Sequence, residues 1–349
     1  MTSKALIIGA GLAGTSLAHQ LLARGIAVEI LDQGSNHSSA IAAGMVNPMV
    51  FRRMNKSWRL DEFLPEASAF YKTISSRLAT DFYHPLVIRR FFSSEQERQL
   101  WEEKAADDSF SAYLEPINSA DLQNNAAHNN FGSGRVKNAF WIDAALWVEA
   151  HRVYFEQLGI LKLTAFDQQK WQAKDRTYDG ITYDAVIFCM GYQQKQEATF
   201  SYLPLQQTKG QTLLVSSKDL PETESLNRKC FVLPYGNQHF RIGATYEWNN
   251  PTLETTNEAK LVLLENLAAL GSYEVSILSQ SAGVRPTVLD RRPLMGEHPE
   301  FKDVYIFNGL GTKGYMMAPT LARELVEHII DKKPLHPETA ISRFSAVNK

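Results

Sequence analysis

Only two cysteines, Cys189 and Cys230, occur in 349 residues, which excludes a disulfide framework. Each lies in or beside an apolar run, the setting of a buried, reduced thiol. The nine histidines are scattered, with no H-x-x-x-H or C-x-x-C pair, so no metal centre is expected. Charge of one sign is lacking too. With 36 basic and 38 acidic residues the net charge is -2, and no global field gathers nucleic acid or anionic lipid. Arg52-Arg53 and Arg291-Arg292 read as solvated surface pairs. No uninterrupted apolar run is long enough to span a bilayer. Together these absences point to a soluble cytoplasmic protein, and 44% hydrophobic with 21% charged residues describes an ordinary globular chain. Its length favours two domains.

What is present begins at residue 5. Ala5-Leu-Ile-Ile8 is a continuous apolar run, as a parallel strand buried on both faces requires. Gly9, Gly11 and Gly14 follow as G-x-G-x-x-G: one glycine for a tight turn, one for close approach to a pyrophosphate, one for close helix packing. Ala13, Leu17 and Leu21 recur at helical spacing, and Gly25 is placed to end the helix. A second strand, Ala27 to Leu31, ends in Asp32, placed to accept hydrogen bonds from ribose hydroxyls. A secretion signal fits less well, because glycines interrupt the apolar run and one lysine makes a poor basic leader. The stretch predicts a dinucleotide site.

Further along, residues 33–51 are rich in small and turn-forming residues, the makings of a loop beside a ligand or of a plain connection. Amphipathic helices are predicted over Leu60 to Leu78 and Glu95 to Lys104, with a strand at Phe82 to Phe92 between them. Asp143 can cap a helix running to Gly159, Ile160 to Phe166 reads as extended, and Tyr183 to Met190 is another apolar strand, ending at Gly191. Short strands at 210–215, 230–234 and 239–245 suggest an antiparallel sheet. A helix at 258–270 and strands at 274–281 and 303–307 precede a last helix from about Ala318 to Ile330. The fold class expected is α/β: a Rossmann-like dinucleotide-binding domain (1–60, 140–205 and 283–349) interleaved with an α+β substrate-binding domain (61–139 and 206–282) on a mostly antiparallel sheet.

Asn308-Gly-Leu-Gly-Thr-Lys-Gly314 repeats the opening arrangement of glycines between strand and helix. Amides at a helix start suit a developing anion. A nicotinamide enzyme has no use for this second site, whereas a reduced flavin carries negative charge on one edge of its ring. With Gly9/Gly11/Gly14 and Asp32, Ala43-Gly-Met45, Phe188-Cys-Met-Gly191, Lys209-Gly-Gln211, Ile242-Gly-Ala-Thr245 and Gly283-Val-Arg-Pro286, the chain resembles the D-amino acid oxidase family of flavoproteins over its whole length. The likeness is greatest to glycine oxidase-like and sarcosine oxidase-like members.

That resemblance implies FAD, with Gly9, Gly11 and Gly14 at the pyrophosphate, Asp32 at the adenosine ribose, Phe166 at the adenine and Gly191 near the phosphate-ribose region. Gly44 and Met45 flank the isoalloxazine, and Gly311, Thr312, Lys313 and Gly314 face its pyrimidine edge. Some sarcosine oxidase-like relatives attach the flavin through a late cysteine. None follows Cys230 here, so noncovalent FAD is implied. Arg285 matches the family's carboxylate-binding arginine, a role its planar fork suits.

Two departures stand out. Phe231 replaces the substrate-binding tyrosine of glycine oxidase-like members, which argues against glycine as substrate. Tyr246 aligns near the lysine that promotes reaction with oxygen in sarcosine oxidase-like members, so oxygen and another electron acceptor both stay open; Tyr246 itself lines the pocket or is a core aromatic. Lys313 stands where glycine oxidase-like proteins carry arginine, placed to balance flavin or substrate charge.

The implied activity is oxidation of the C–N bond of a small amino acid or secondary amine to an imine. Asn47-Pro48 and the Gly309–Gly314 run also resemble the flavin domain of the bifunctional enzyme acting on a modified tRNA wobble uridine, although no basic surface signal for nucleic acid is visible. A non-catalytic flavin-binding protein and a nicotinamide dehydrogenase are the remaining alternatives.

Overall fold

The computed structural model describes residues 3–35, 37–248 and 251–344. Strand Lys4–Ile8 lies at the centre of a six-stranded sheet in the order Leu294–Glu297, Val304–Asn308, Ala185–Phe188, Lys4–Ile8, Ala27–Asp32, Leu161–Leu163. The inner pairings are parallel, and Leu294–Glu297 joins the edge antiparallel. Both faces are covered, which is why the sequence is apolar at successive positions: Ala5, Leu6, Ile7 and Ile8 are all buried. Helices Leu12–Ala23 and Gly314–Asp331 pack side by side, and Leu17, Leu21, Leu321 and Leu325 belong to one buried core. Each follows one of the two glycine turns, so both turns open at the same end of the sheet.

A second, eight-stranded sheet runs Ser276–Val288, Leu205–Ser216, His239–Gly243, Phe231–Pro234, Ser225–Asn227, Tyr83–Phe91, Ser133–Ile142, Met45–Val46. Its pairings are antiparallel except that between Ser225–Asn227 and Tyr83–Phe91. Helix Leu60–Leu78 occupies the span its periodicity predicts, burying Phe63, Ala67, Tyr71 and Ile74. Asp143 caps helix Ala144–Gln157 by accepting the Leu146 amide at 3.1 Å.

Three differences from the sequence reading matter for the site. The chain from Ser276 to Val288 is one strand, paired with Leu205–Ser216 along its length. A domain boundary at 282/283 therefore falls inside a continuous ladder, and Gly283 to Val288 belong to the antiparallel sheet, as do Met45 and Val46 through Trp141 and Phe140. The glycine and proline of Gly283-Val-Arg-Pro286 look like a break locally, but pairing to a long partner strand overrides them. Secondly, the last helix starts at Gly314, not near Ala318. The helix runs through a buried Pro319. Thirdly, residues 33–51 are more regular than a bare loop. They hold the short helix His37–Ile41 and the strands Met45–Val46 and Met49–Val50, with Val46 and Met49 buried. No helix among the described residues is long and apolar enough to cross a membrane.

Candidate active site

One cavity of about 760 Å³ opens between the two sheets and reaches both glycine turns. Almost every residue singled out in the sequence lies on its wall. Gly9, Gly11 and Asp32 line one end with Phe166 and Gly191, Gly44 and Met45 line the middle, and Phe231, Tyr246 and Arg285 lie with Gly311 to Gly314 on the remaining wall. Gly14 is not on the wall. It sits behind the first turn, where an added Cβ would overlap the Gly9 carbonyl. The strand-to-helix crossing is thus as tight as the helix-packing role of that glycine demands.

At the dinucleotide end, Asp32 ties the turn shut: Oδ2 accepts the Ala10 amide at 2.6 Å and Oδ1 the Gly34 amide at 2.7 Å. The first-turn amide of Leu12 donates to Ser39 Oγ at 3.0 Å. Asn308 joins the two halves, donating from Nδ2 to the Gly191 carbonyl at 2.9 Å and accepting the Gly309 amide at 2.8 Å. Phe166 stacks on Tyr178, with ring centroids 5.4 Å apart. Ser39 and Asn308 escaped the sequence reading. The only signal was their position, one in a Ser/Asn-rich loop and the other just ahead of the second glycine cluster.

Lys313 and Arg285, two of the cations lining this cavity, are held differently. Lys313, the residue before helix Gly314–Asp331, donates from Nζ to the Asn47 carbonyl at 2.8 Å and to Ser57 Oγ at 2.5 Å. No carboxylate pairs with it among the described residues, and burial lowers its pKa to about 8. It pins the 47–57 segment to the second glycine turn. Arg285 has far less: Nη1 reaches the Thr245 carbonyl at 3.4 Å, and the Tyr246 ring lies 4.6 Å from the guanidinium carbon. Burial lowers the guanidinium pKa, with Tyr246 opposing that shift. No ion pair to Arg285 exists among the described residues, so a desolvated fork is left for an anion from outside. Tyr246 is 57% exposed, a flat cover on that guanidinium and not a core aromatic.

Acids and thiols on the wall are otherwise engaged. Glu197 accepts the Thr199 amide at 2.7 Å and Gln194 Nε2 at 2.7 Å. Cys189 and Cys230 are free and buried, as expected, and burial raises both thiol pKa values, Cys230 to about 12. The described residues contain no group of histidine, cysteine and carboxylate side chains able to hold a metal ion.

A Rossmann-type glycine turn, a second glycine turn facing it and an antiparallel sheet closing the cavity define a dinucleotide-dependent oxidoreductase. The chain matches the family described as FAD dependent oxidoreductase (DAO) over residues 4–328, and it belongs to that family. It is accordingly an enzyme that uses FAD. Glycine oxidase of Bacillus licheniformis is 24% identical over 99% of this chain and 97% of its own. The tRNA 5-methylaminomethyl-2-thiouridine biosynthesis bifunctional protein MnmC of Marinobacter nauticus is 23% identical over 98% of this chain but 58% of its own length. The chain thus spans little more than half of that relative. The crystal structure of glycine oxidase from Geobacillus kaustophilus superposes with a TM-score of 0.81 at 18% identity, covering 100% of both chains.

Proposed function

We propose that the enzyme oxidises the C–N bond of a carboxylated amine, a small amino acid or secondary amine, to the imine. The observation that carries this reading is Arg285. Its guanidinium faces the cavity without a carboxylate partner among the described residues, and a buried cation left that way is strongly disfavoured until an anion arrives. A substrate carboxylate completes two parallel charge-assisted hydrogen bonds there and fixes the neighbouring carbon in place.

The cradle suits noncovalent FAD: Gly9 could not carry a side chain, since its Cβ would lie 2.5 Å from the Cys189 carbonyl oxygen, and this leaves bare backbone for a pyrophosphate. FAD bound there supplies the hydride acceptor. The chain's own residues bind and orient. Arg285 holds the carboxylate, Tyr246 shields that ion pair from water, and the first-turn amides of helix Gly314–Asp331 offer positive partial charge at the second glycine turn. Asp32 and Glu197, the carboxylates on the wall, are both engaged by amides, and hydride transfer from the C–N bond uses the amine as its free base. Arg285→Lys keeps the charge but loses the fork. It should weaken carboxylated substrates by about tenfold or more. Unchanged anaerobic flavin reduction by every accepted substrate in that variant would remove the reading.

A second reading rests on the tRNA-biosynthesis relatives: the same oxidation on a glycine-like group carried by a tRNA base. Tyr246 and Trp248, 57% and 58% exposed, supply faces on which a base can stack. Salt-sensitive retention of tRNA by the purified protein, absent for unmodified single strands, separates the two readings.

A further inference from the structure

The antiparallel sheet contributes a floor to the substrate end of the cavity, and the ladder registers say how it is laid. Arg285 pairs with Thr208, Thr212 with Gly243, and Gly243 with Phe231. Side chains alternate along a strand, so Gly210 and Thr212 lie on one face with Gly243, Phe231 and Arg285. Lys209 and Gln211 point to the opposite face, where Lys209 Nζ meets Thr252 Oγ1 at 3.1 Å and Gln211 Nε2 meets Glu247 at 2.7 Å.

Two glycines then let two large side chains lie flat. A Cβ on Gly210 would overlap the Arg285 guanidinium, and a Cβ on Gly243 would lie 2.6 Å from Phe231 Cζ. The guanidinium therefore rests over Gly210 and the phenyl ring over Gly243, on neighbouring strands and two residues apart in register. Strand spacing and rise put roughly 8 Å between them. A carboxylate on the guanidinium and a carbon in van der Waals contact with the ring fill that gap with only one or two bonds between them.

Building on the amine-oxidation reading above, we propose that Phe231 is a specificity-determining residue. The substrate class it selects is a carboxylated amine with a small apolar group, a methyl or ring methylene, on its nitrogen or α-carbon, in preference to glycine. The ring offers that group dispersion contact and no hydrogen bond, and glycine leaves the contact unmade. Each methyl placed there is worth about fourfold in affinity, from the transfer free energy of a buried methylene.

The test uses the FAD-loaded enzyme and two unreactive carboxylates, acetate and isobutyrate, titrated by perturbation of the flavin spectrum and by thermal shift. Isobutyrate is expected to bind roughly tenfold more tightly than acetate. Phe231→Tyr, which places a hydroxyl at the wall, should reduce that ratio to below about threefold, while Phe231→Leu keeps it. Sarcosine or proline should reduce the flavin at least about tenfold faster than glycine at equal subsaturating concentration. Equal affinities for the two acids in the unmodified enzyme, or an undiminished ratio in Phe231→Tyr, would overturn the proposal. Discrimination between the acids with no flavin reduction by any amine would leave Phe231 as the apolar wall and defeat the amine-oxidation reading instead.

Discussion

The two glycine turns look alike in sequence and differ in what enforces them. In the first, Gly14 is held by space, abutting the Gly9 carbonyl, while Gly9 combines a φ of +105° with close approach to the Cys189 carbonyl. In the second, the constraint at Gly311 is conformation. Its φ is +58°, and the nearest atom to an added Cβ is the Thr287 methyl at 3.9 Å. The first turn is closed by an acid, Asp32, and the second is anchored by a base, Lys313. The third glycine of the first turn is thus held by space, and the second glycine of the second turn, Gly311, by a left-handed backbone with room around it; Gly309, by contrast, is both left-handed and close to Val288.

The largest effect should come from placing a methyl in each turn. Gly14→Ala forces the helix away from its strand and should cost about 3 kcal/mol or more, with FAD lost on gel filtration. Gly311→Ala meets no backbone and should cost about 1–2 kcal/mol, the left-handed penalty alone. Comparable melting temperatures for the two variants would erase the distinction.

Next is the anchor of the second turn. Lys313→Met strands the Asn47 carbonyl and the Ser57 hydroxyl and should cost roughly 1–3 kcal/mol at neutral pH. The folded pKa of Lys313, about 8, lies below its ordinary 10.5. Between those values the unfolded chain binds the extra proton, so unfolding free energy rises with pH across the window. Melting curves from pH 8 to 10 should show that this component of the rise is missing in Lys313→Met.

At neutral pH the smallest effect concerns the helix leaving the first turn, because it is felt only in acid. His19 on that helix and His151 on Ala144–Gln157 meet through their Nε2 atoms at 2.8 Å, and His151 Nδ1 lies 2.7 Å from the Trp147 carbonyl. Burial lowers the pKa of both, His151 to about 4. The unfolded imidazoles take up protons near 6.5, so stability is fully present above that pH and is lost as pH falls toward 4. The slope is up to about 1.4 kcal/mol per pH unit for each ring. A double variant, His19→Leu with His151→Phe, should flatten the acid limb and leave the alkaline one unchanged. The first turn would thus be loosened by acid and the second eased by alkali, which sharpens the contrast between them.

Local pattern was enough for much of the fold. The span Leu60–Leu78, the Asp143 cap and the apolar strands at Lys4–Ile8 and Ala185–Phe188 follow from periodicity, capping chemistry and burial on both faces. The continuous strand Ser276–Val288 was not legible, because its regularity comes from pairing with Leu205–Ser216, some 70 residues away in sequence for partners such as Gln211 and Ala282. Nor were the roles of Ser39 and Asn308, single polar residues whose partners, Leu12 and Gly191, are distant in the chain.

By itself the sequence determined the two glycine turns, the acid after the second strand and the arginine in Gly283-Val-Arg-Pro286, since each is written in residues a few positions apart. Only the tertiary structure decided that Arg285 lies over Gly210 with no carboxylate partner among the described residues, whereas Lys313 is spent on Asn47 and Ser57. Whether a buried charge is satisfied depends on neighbours brought in from other strands and loops, and that is settled by packing and desolvation in three dimensions.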